Sequence, residues 1–242
     1  MGGARRGPAG GPPAVRLRHQ CRARGEHAAR LPASSLSSDT PAARPPLVAA
    51  DAEGVTRALQ ILGRGEVIGT PTDTVYGLAV VPGIAGAVDR LFVAKGRPAS
   101  VPVAVLVADL DQAQALCDAP LPRPLVERHW PGPLTLVVRR RAGLDWDLGG
   151  NPHTIGLRWP DHALVRELCS SAGPLATTSA NLHGNPSPTQ AAGVAEEMAG
   201  APVTLVLDGG ECAGRPSTVV DLTGDIPVVL REGALGESDL LL

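Results

Sequence analysis

The first 46 positions carry neither a helical nor a strand period, and only from Leu47 onward do apolar residues recur at regular spacing. Asp51 is an N-cap signal for a helix over 51–62 with Val55, Leu59 and Leu62 on one face, closed by Gly63 and Gly65. A short strand is predicted over 66–70. Val88, Leu91 and Phe92 then give a helix that Gly96 ends and Pro98 stops. The spacing predicts strands over 103–107, 134–139, 154–159, 175–181, 203–207, 217–222 and 227–231. Helices are predicted over 109–117, 121–130, from Asp161 to about Cys169, and over 191–199. Strands and helices intermix without strict βαβ alternation, which predicts one α/β domain with a mixed sheet over 47–242.

Composition changes the picture at the N-terminus. Residues 1–46 are rich in Gly, Pro, Arg, Ala and Ser, a mixture that buries too little apolar surface to fold, so a disordered extension is predicted. Its readings are an organelle transit peptide, a basic arm for nucleic acid, or a dispensable extension. Glu26 and Asp39 are its only acidic residues, so the body is net acidic although the whole chain carries only −2. The single Tyr, single Phe and three Trp argue against a base-stacking platform for single strands. Four well-separated cysteines with no C-x-x-C pair, and histidines without H-x-x-x-H spacing, predict a reduced, cytoplasmic protein without a zinc site. No apolar run reaches membrane-spanning length.

Lys95 is the only lysine, in the stretch L-F-V-A-K-G-R-P over 91–98; every other basic residue of the 22 is arginine. A chain that otherwise writes arginine has kept a compact, rotatable ammonium at one place, with Arg97 two residues on. The pair suits phosphate oxygens or a carboxylate. Ordinary motifs are missing: no G-x-x-x-x-G-K-[ST], no G-x-G-x-x-G, no G-x-S-x-G. Hydroxyl-rich turns recur instead at strand ends, at Thr72 and Thr74, Thr177 to Ser179, Ser187 and Thr189, and Ser217 and Thr218. Arg158, Arg215 and Arg231 stand close to them in strand order. Such a set can hold a small anionic ligand, while each hydroxyl taken singly reads more readily as a turn-former bonded to its own backbone. His129, His153, His162 and His183 read as structural or exposed.

Seven segments occur in the order of the YrdC-like family: P-T-D-T-V-Y-G-L at 71–78, K-G-R-P at 95–98, W-P-G-P-L-T at 130–135, T-S-A-N at 178–181, N-P-S-P-T at 185–189, S-T-V-V-D at 217–221 and L-R-E-G at 230–233. The chain resembles that family over about 47–235. The resemblance implies an α/β fold with a twisted sheet and flanking helices enclosing a basic cavity. It also implies synthesis of threonylcarbamoyl-AMP and pyrophosphate from L-threonine, bicarbonate or CO2, and ATP, for modification of the tRNA adenosine beside the anticodon by a downstream threonylcarbamoyl transferase complex. By the same resemblance the K-x-R and S-x-N signature falls on Lys95, Arg97, Ser179 and Asn181 as the catalytic set. L-threonine would meet Thr72, Arg158, Thr177 and Ser217, with Arg158 on its carboxylate. ATP would meet Lys95, Arg97, Thr154, Ser179, Asn181, Ser187 and Arg231. Mg2+ is expected to arrive on ATP rather than in a protein-held site. R-E-G at 231–233 departs from the R-P-G common in the family, and the short form, without an extra C-terminal domain, is expected. Two other readings stay open: a tRNA or double-stranded RNA binding module of the same fold, against which the acidic body argues, and the carbamoyltransferase of hydrogenase maturation, for which the chain lacks length and cysteines.

Overall fold

The computed structural model describes residues 42–240, apart from Arg97, Ala99 and His183; the predicted extension, as far as Pro41, lies outside them. Hydrogen bonds tie the described chain to the body from Ala43 onward, whose carbonyl takes the Gly200 N–H. The first half runs β1 (Leu47–Ala49), α1 (Ala52–Gly63), β2 (Val67–Thr70), β3 (Gly77–Val80), α2 (Ala87–Lys95), β4 (Ala104–Leu106), α3 (Leu110–Gln114) and α4 (Arg123–His129). The second half runs β5 (Leu134–Arg139), β6 (Thr154–Arg158), α5 (Ala163–Ala172), β7 (Leu175–Ser179), α6 (Ala191–Glu197), β8 (Val203–Asp208), β9 (Thr218–Asp221), β10 (Val228–Arg231) and α7 (Glu237–Leu240).

Local chemistry explains the helix ends. The Asp51 carboxylate accepts the Gly54 N–H at 2.9 Å, satisfying one of the donors that the first turn of α1 leaves without a partner. Gly96 ends α2 in the left-handed region at φ 62°, where a side chain would be strained. The chain therefore turns away immediately after Lys95.

Among the described residues ten strands form one mixed sheet, in the order β1-β8-β2-β3-β7-β4-β6-β5-β9-β10. Pairing is parallel for β1 with β8, β2 with β8, β4 with β6 and β5 with β9, and antiparallel elsewhere. Strand periodicity of two separates the faces. Val67, Leu78, Val105, Leu157 and Val206 join one buried cluster with residues of α2, α3, α4 and α6. Ile68, Ala79, Leu106, Leu175 and Leu205 join a second with α1 and α5. A fully buried leucine such as Leu168 contributes roughly 1.5–3 kcal/mol to holding its layer.

The pattern missed β1, β3 and α7. β3 is buried on both faces and so shows no alternation, and it starts directly after the turn that its Gly77 was assigned to.

Candidate functional site

The second face is not covered throughout by α1 and α5. Where the middle strands turn small or polar side chains outward, at Gly77, Ala104, Gly156, Thr135 and Thr177, the sheet floors a cavity of about 290 Å³. Of the predicted site residues, Thr72, Thr154, Arg158, Thr177, Ser179, Ser187, Ser217 and Arg231 line it. Lys95 and Asn181 are both buried and stand behind Ser179 instead of on the lining. Arg97 lies outside the described residues.

Register explains the gathering. Gly77 pairs with Ser179, Thr177 with Ala104, and Ala104 with Gly156, so residues far apart in sequence fall in rows across one face. β6 turns Thr154, Gly156 and Arg158 toward the cavity and Leu157 into the core, while Ile155 joins the core and also borders the cavity.

Lys95 closes one end. Its ammonium donates to the Ser179 carbonyl at 2.7 Å, to Ser179 Oγ at 3.1 Å and to Asn181 Oδ1. Ser179 Oγ in turn donates to Asn181 Oδ1 at 2.6 Å, while Asn181 Nδ2 donates to the carbonyls of Leu182 and Asn185. The amide orientation is fixed by these partners, since its oxygen faces the cation and its NH2 faces two acceptors. Ser187 reaches the same Oδ1 only at 3.5 Å.

Arg158 lies deeper, 6% exposed. Its Nη2 donates to Asp73 Oδ1 at 2.6 Å, Nη1 to Thr74 Oγ1 at 2.8 Å, and Nε to the Gly132 carbonyl at 3.2 Å. W-P-G-P-L-T therefore holds Arg158 through its glycine, whose N–H also bonds the Trp159 carbonyl at 2.8 Å. Burial pushes the guanidinium below its ordinary value, and the Asp73 carboxylate opposes that shift. Among the described residues three of its five N–H donors are bound, one on each nitrogen, which leaves one on each terminal nitrogen for a ligand.

Arg231 stands at the opposite rim. Nε and Nη2 both donate to the Ser217 carbonyl, at 3.1 and 2.8 Å, and Nη2 also to Ser217 Oγ at 3.1 Å. Thr135 Oγ1 lies 2.8 Å from the same Ser217 Oγ.

The predicted hydroxyls differ in what they have left to offer. Thr72 Oγ1 bonds the Val75 carbonyl at 2.7 Å and accepts the N–H groups of Thr74 and Val75, so it organises its own turn. Thr177 donates to the Leu78 carbonyl at 2.9 Å and keeps its lone pairs, and Thr154 makes only a 3.3 Å bond to the Asn151 carbonyl. The pattern overlooked Asp73 and Thr135, and it gave Tyr76 of P-T-D-T-V-Y-G-L no role. Tyr76 Oη donates to the Gly210 carbonyl at 2.8 Å, and burial pushes its pKa up to about 12, so it is a neutral wall. Thr135 had a signal: a polar residue between Leu134 and Leu136 in a strand core.

A family model described as "Telomere recombination" matches residues 60–233. The chain belongs to the Sua5/YciO/YrdC family. It is 40% identical over 183 residues to a Pyrococcus abyssi protein named threonylcarbamoyl-AMP synthase, covering 74% of this chain and 53% of that one. A Bacillus subtilis protein of the same name is 38% identical over 200 residues, covering 77% of this chain and 55% of that one. The solved structure of P. abyssi Sua5 complexed with L-threonine matches with a TM-score of 0.74 at 36% identity, over 81% of this chain and 59% of that one. The chain thus spans about half the length of these curated relatives. No helix among the described residues is long and apolar enough to cross a membrane.

Proposed function

We propose that this chain is a threonylcarbamoyl-AMP synthase, a nucleotidyltransferase that forms threonylcarbamoyl-adenylate and pyrophosphate from L-threonine, bicarbonate or CO2, and ATP. The observation that carries the reading is Arg158. It is a buried guanidinium already braced by Asp73, Thr74 and Gly132, with donors left toward a hydroxyl-lined cavity. Such a fork takes a carboxylate with two parallel bonds, and the relatives' name together with the L-threonine complex of P. abyssi Sua5 supports L-threonine as its bearer.

The amine of the held amino acid adds to CO2 and loses a proton, giving a carbamate. A carbamate oxygen then attacks the α-phosphorus of ATP, the P–O bond to the β-phosphate breaks, and pyrophosphate leaves with the electron pair. No enzyme nucleophile takes part. The protein aligns the reactants and stabilises charge on the phosphates. In this reading Lys95, through Ser179 and Asn181, and Arg231 supply that stabilisation, with Thr154 and Ser187 as further nucleotide contacts; Arg97 is the further cation. Thr72, by its turn, Thr177 and Ser217 border the amino acid. Mg2+ arrives with the nucleotide in this account; among the described residues the cavity lining supplies hydroxyl, backbone and guanidinium groups and no carboxylate. The adenylate would pass to a downstream transferase acting on tRNA. A cytoplasmic setting belongs to the same reading; Cys117, Cys169 and Cys212 are free and buried.

Purified protein given ATP, bicarbonate and L-threonine is expected to release pyrophosphate only when threonine is present. Turnover indifferent to threonine would sink the reading.

A further inference from the structure

We infer that Thr135 is the group that recognises the side-chain hydroxyl of the amino-acid substrate, with Ser217 acting behind it as a relay from Arg231. This inference rests on the synthase reading above. Thr135 is 4% exposed, set between Leu134 and Leu136, which are fully buried. A hydroxyl buried there costs stability unless it is bonded, and among the described residues its one partner is Ser217 Oγ at 2.8 Å.

Each hydroxyl owns one proton and two lone pairs. A single O···O contact holds only one of the pair's two protons, so one is left over. Both side chains line the cavity and neither has another acceptor among the described residues, so the spare proton faces the ligand space. The third member decides whose proton it is. Arg231 Nη2 donates to Ser217 Oγ at 3.1 Å. A hydroxyl that accepts from a cation becomes the better donor. Ser217 therefore gives its proton to Thr135, and Thr135 presents its own to the cavity.

Position fits the task. Leu136 pairs with Leu157, so one residue back on β5 and one forward on β6 set Thr135 beside Arg158 on the cavity face. With the carboxylate on Arg158, the substrate hydroxyl lies three bonds from the carboxyl carbon, a reach comparable with a strand spacing of about 4.8 Å. Gly156 keeps the space above Thr135 clear, since a Cβ there would stand 3.6 Å from Thr135 Cγ2.

The test is calorimetric binding of L-threonine and of L-2-aminobutyrate, which has the same skeleton without the hydroxyl, to the parent protein and to three variants, with thermal unfolding alongside. Thr135→Val is expected to weaken L-threonine about tenfold, the loss of one hydrogen bond to a ligand, and to leave L-2-aminobutyrate within about twofold, so that the preference for threonine collapses. Thr135→Ser restores the preference. Ser217→Ala removes the relay and a group that borders the amino acid, so it is expected to weaken both ligands and to lower the preference by less than Thr135→Val does, because Thr135 still has a proton to give. A Ser217→Ala protein that loses the preference, or a Thr135→Val protein that keeps it, overturns the inference, and the first arm decides even if Thr135→Val does not fold. A parent protein that binds no L-threonine overturns the synthase reading and this inference together.

Discussion

The ammonium of Lys95 sits 2.7 Å from the carbonyl oxygen of Ser179, 84 residues further along the chain. That contact joins the end of α2 to the end of β7, and with Asn181 Oδ1 and Ser179 Oγ it surrounds a buried cation with oxygen. Lys95→Ala takes from these oxygens the ammonium they share, at a cost of about 1–3 kcal/mol. It is also expected to lower threonine-dependent pyrophosphate release at least ~100-fold, the scale seen when one oriented electrostatic partner is lost. Lys95→Arg, measured in the same assay, is expected to fail as well, because a planar fork does not fit a pocket built around one nitrogen. Arginine working at the parental rate would show that charge alone suffices there.

Arg158 and Asp73 form a pair with 8% and 13% of their side chains exposed. Asp73→Ala strands a buried guanidinium and is expected to destabilise the fold by about 3–5 kcal/mol. Asp73→Asn keeps an acceptor and is expected to lose less stability, with a raised KM for L-threonine from a looser fork. Denaturant unfolding and initial rates measure the two effects. An Asp73→Ala protein as stable as its parent would mean the pair holds nothing in place.

Gly233 follows the arginine of L-R-E-G, and a Cβ there would stand 2.3 Å from the Pro216 carbonyl oxygen and 2.5 Å from the carbonyl of Ser217. Both neighbours are backbone, so Gly233→Ala must shift the segment that Arg231 grips. The expected cost is about 1–3 kcal/mol, accompanied by a raised KM for ATP. A variant with parental stability and parental KM would show that the segment gives way freely.

Two histidines make stability depend on mild acid. His129 and His162 each have a ring nitrogen buried without a partner, and burial pushes both below the ordinary value of 6.5. In the window from about 6.5 downward the unfolded chain takes up protons that the folded one refuses, so unfolding free energy falls as pH falls. Above that value the two states bind alike at these sites and the contribution is constant. Thermal unfolding between pH 8 and 5 is expected to show this slope, and His162→Gln to flatten it; an unchanged slope in that variant would remove His162 from the account.

Much of the architecture was legible because local rules and tertiary packing agree. Asp51, Gly63 and the Val55-Leu59-Leu62 face mark α1 within a residue of its bounds, and 134–139 matches β5 to the residue. β3 was not legible, since burial on both faces erases alternation. The ligand cavity was only half legible. Hydroxyl-rich turns and arginines pointed to an anion site, yet which hydroxyls are taken up by their own turns, as at Thr72, and which remain available, as at Thr135, depends on neighbours that sequence order does not reveal. Asp73 escaped notice because its partner is on β6, 85 residues away.

The first described strand, β1, pairs in parallel with β8, so Leu47 waits for Val206. A ribosome must deliver most of the chain before that edge of the sheet can form, and Ser217, Thr218 and Arg231 emerge later still. Truncated nascent chains would therefore expose β2 and β3 without cover, the kind of open strand edge that invites aggregation. With so many distant pairings this domain should also fold slowly for its size, and its need for chaperone protection should persist until β8 and the strands after it have been delivered.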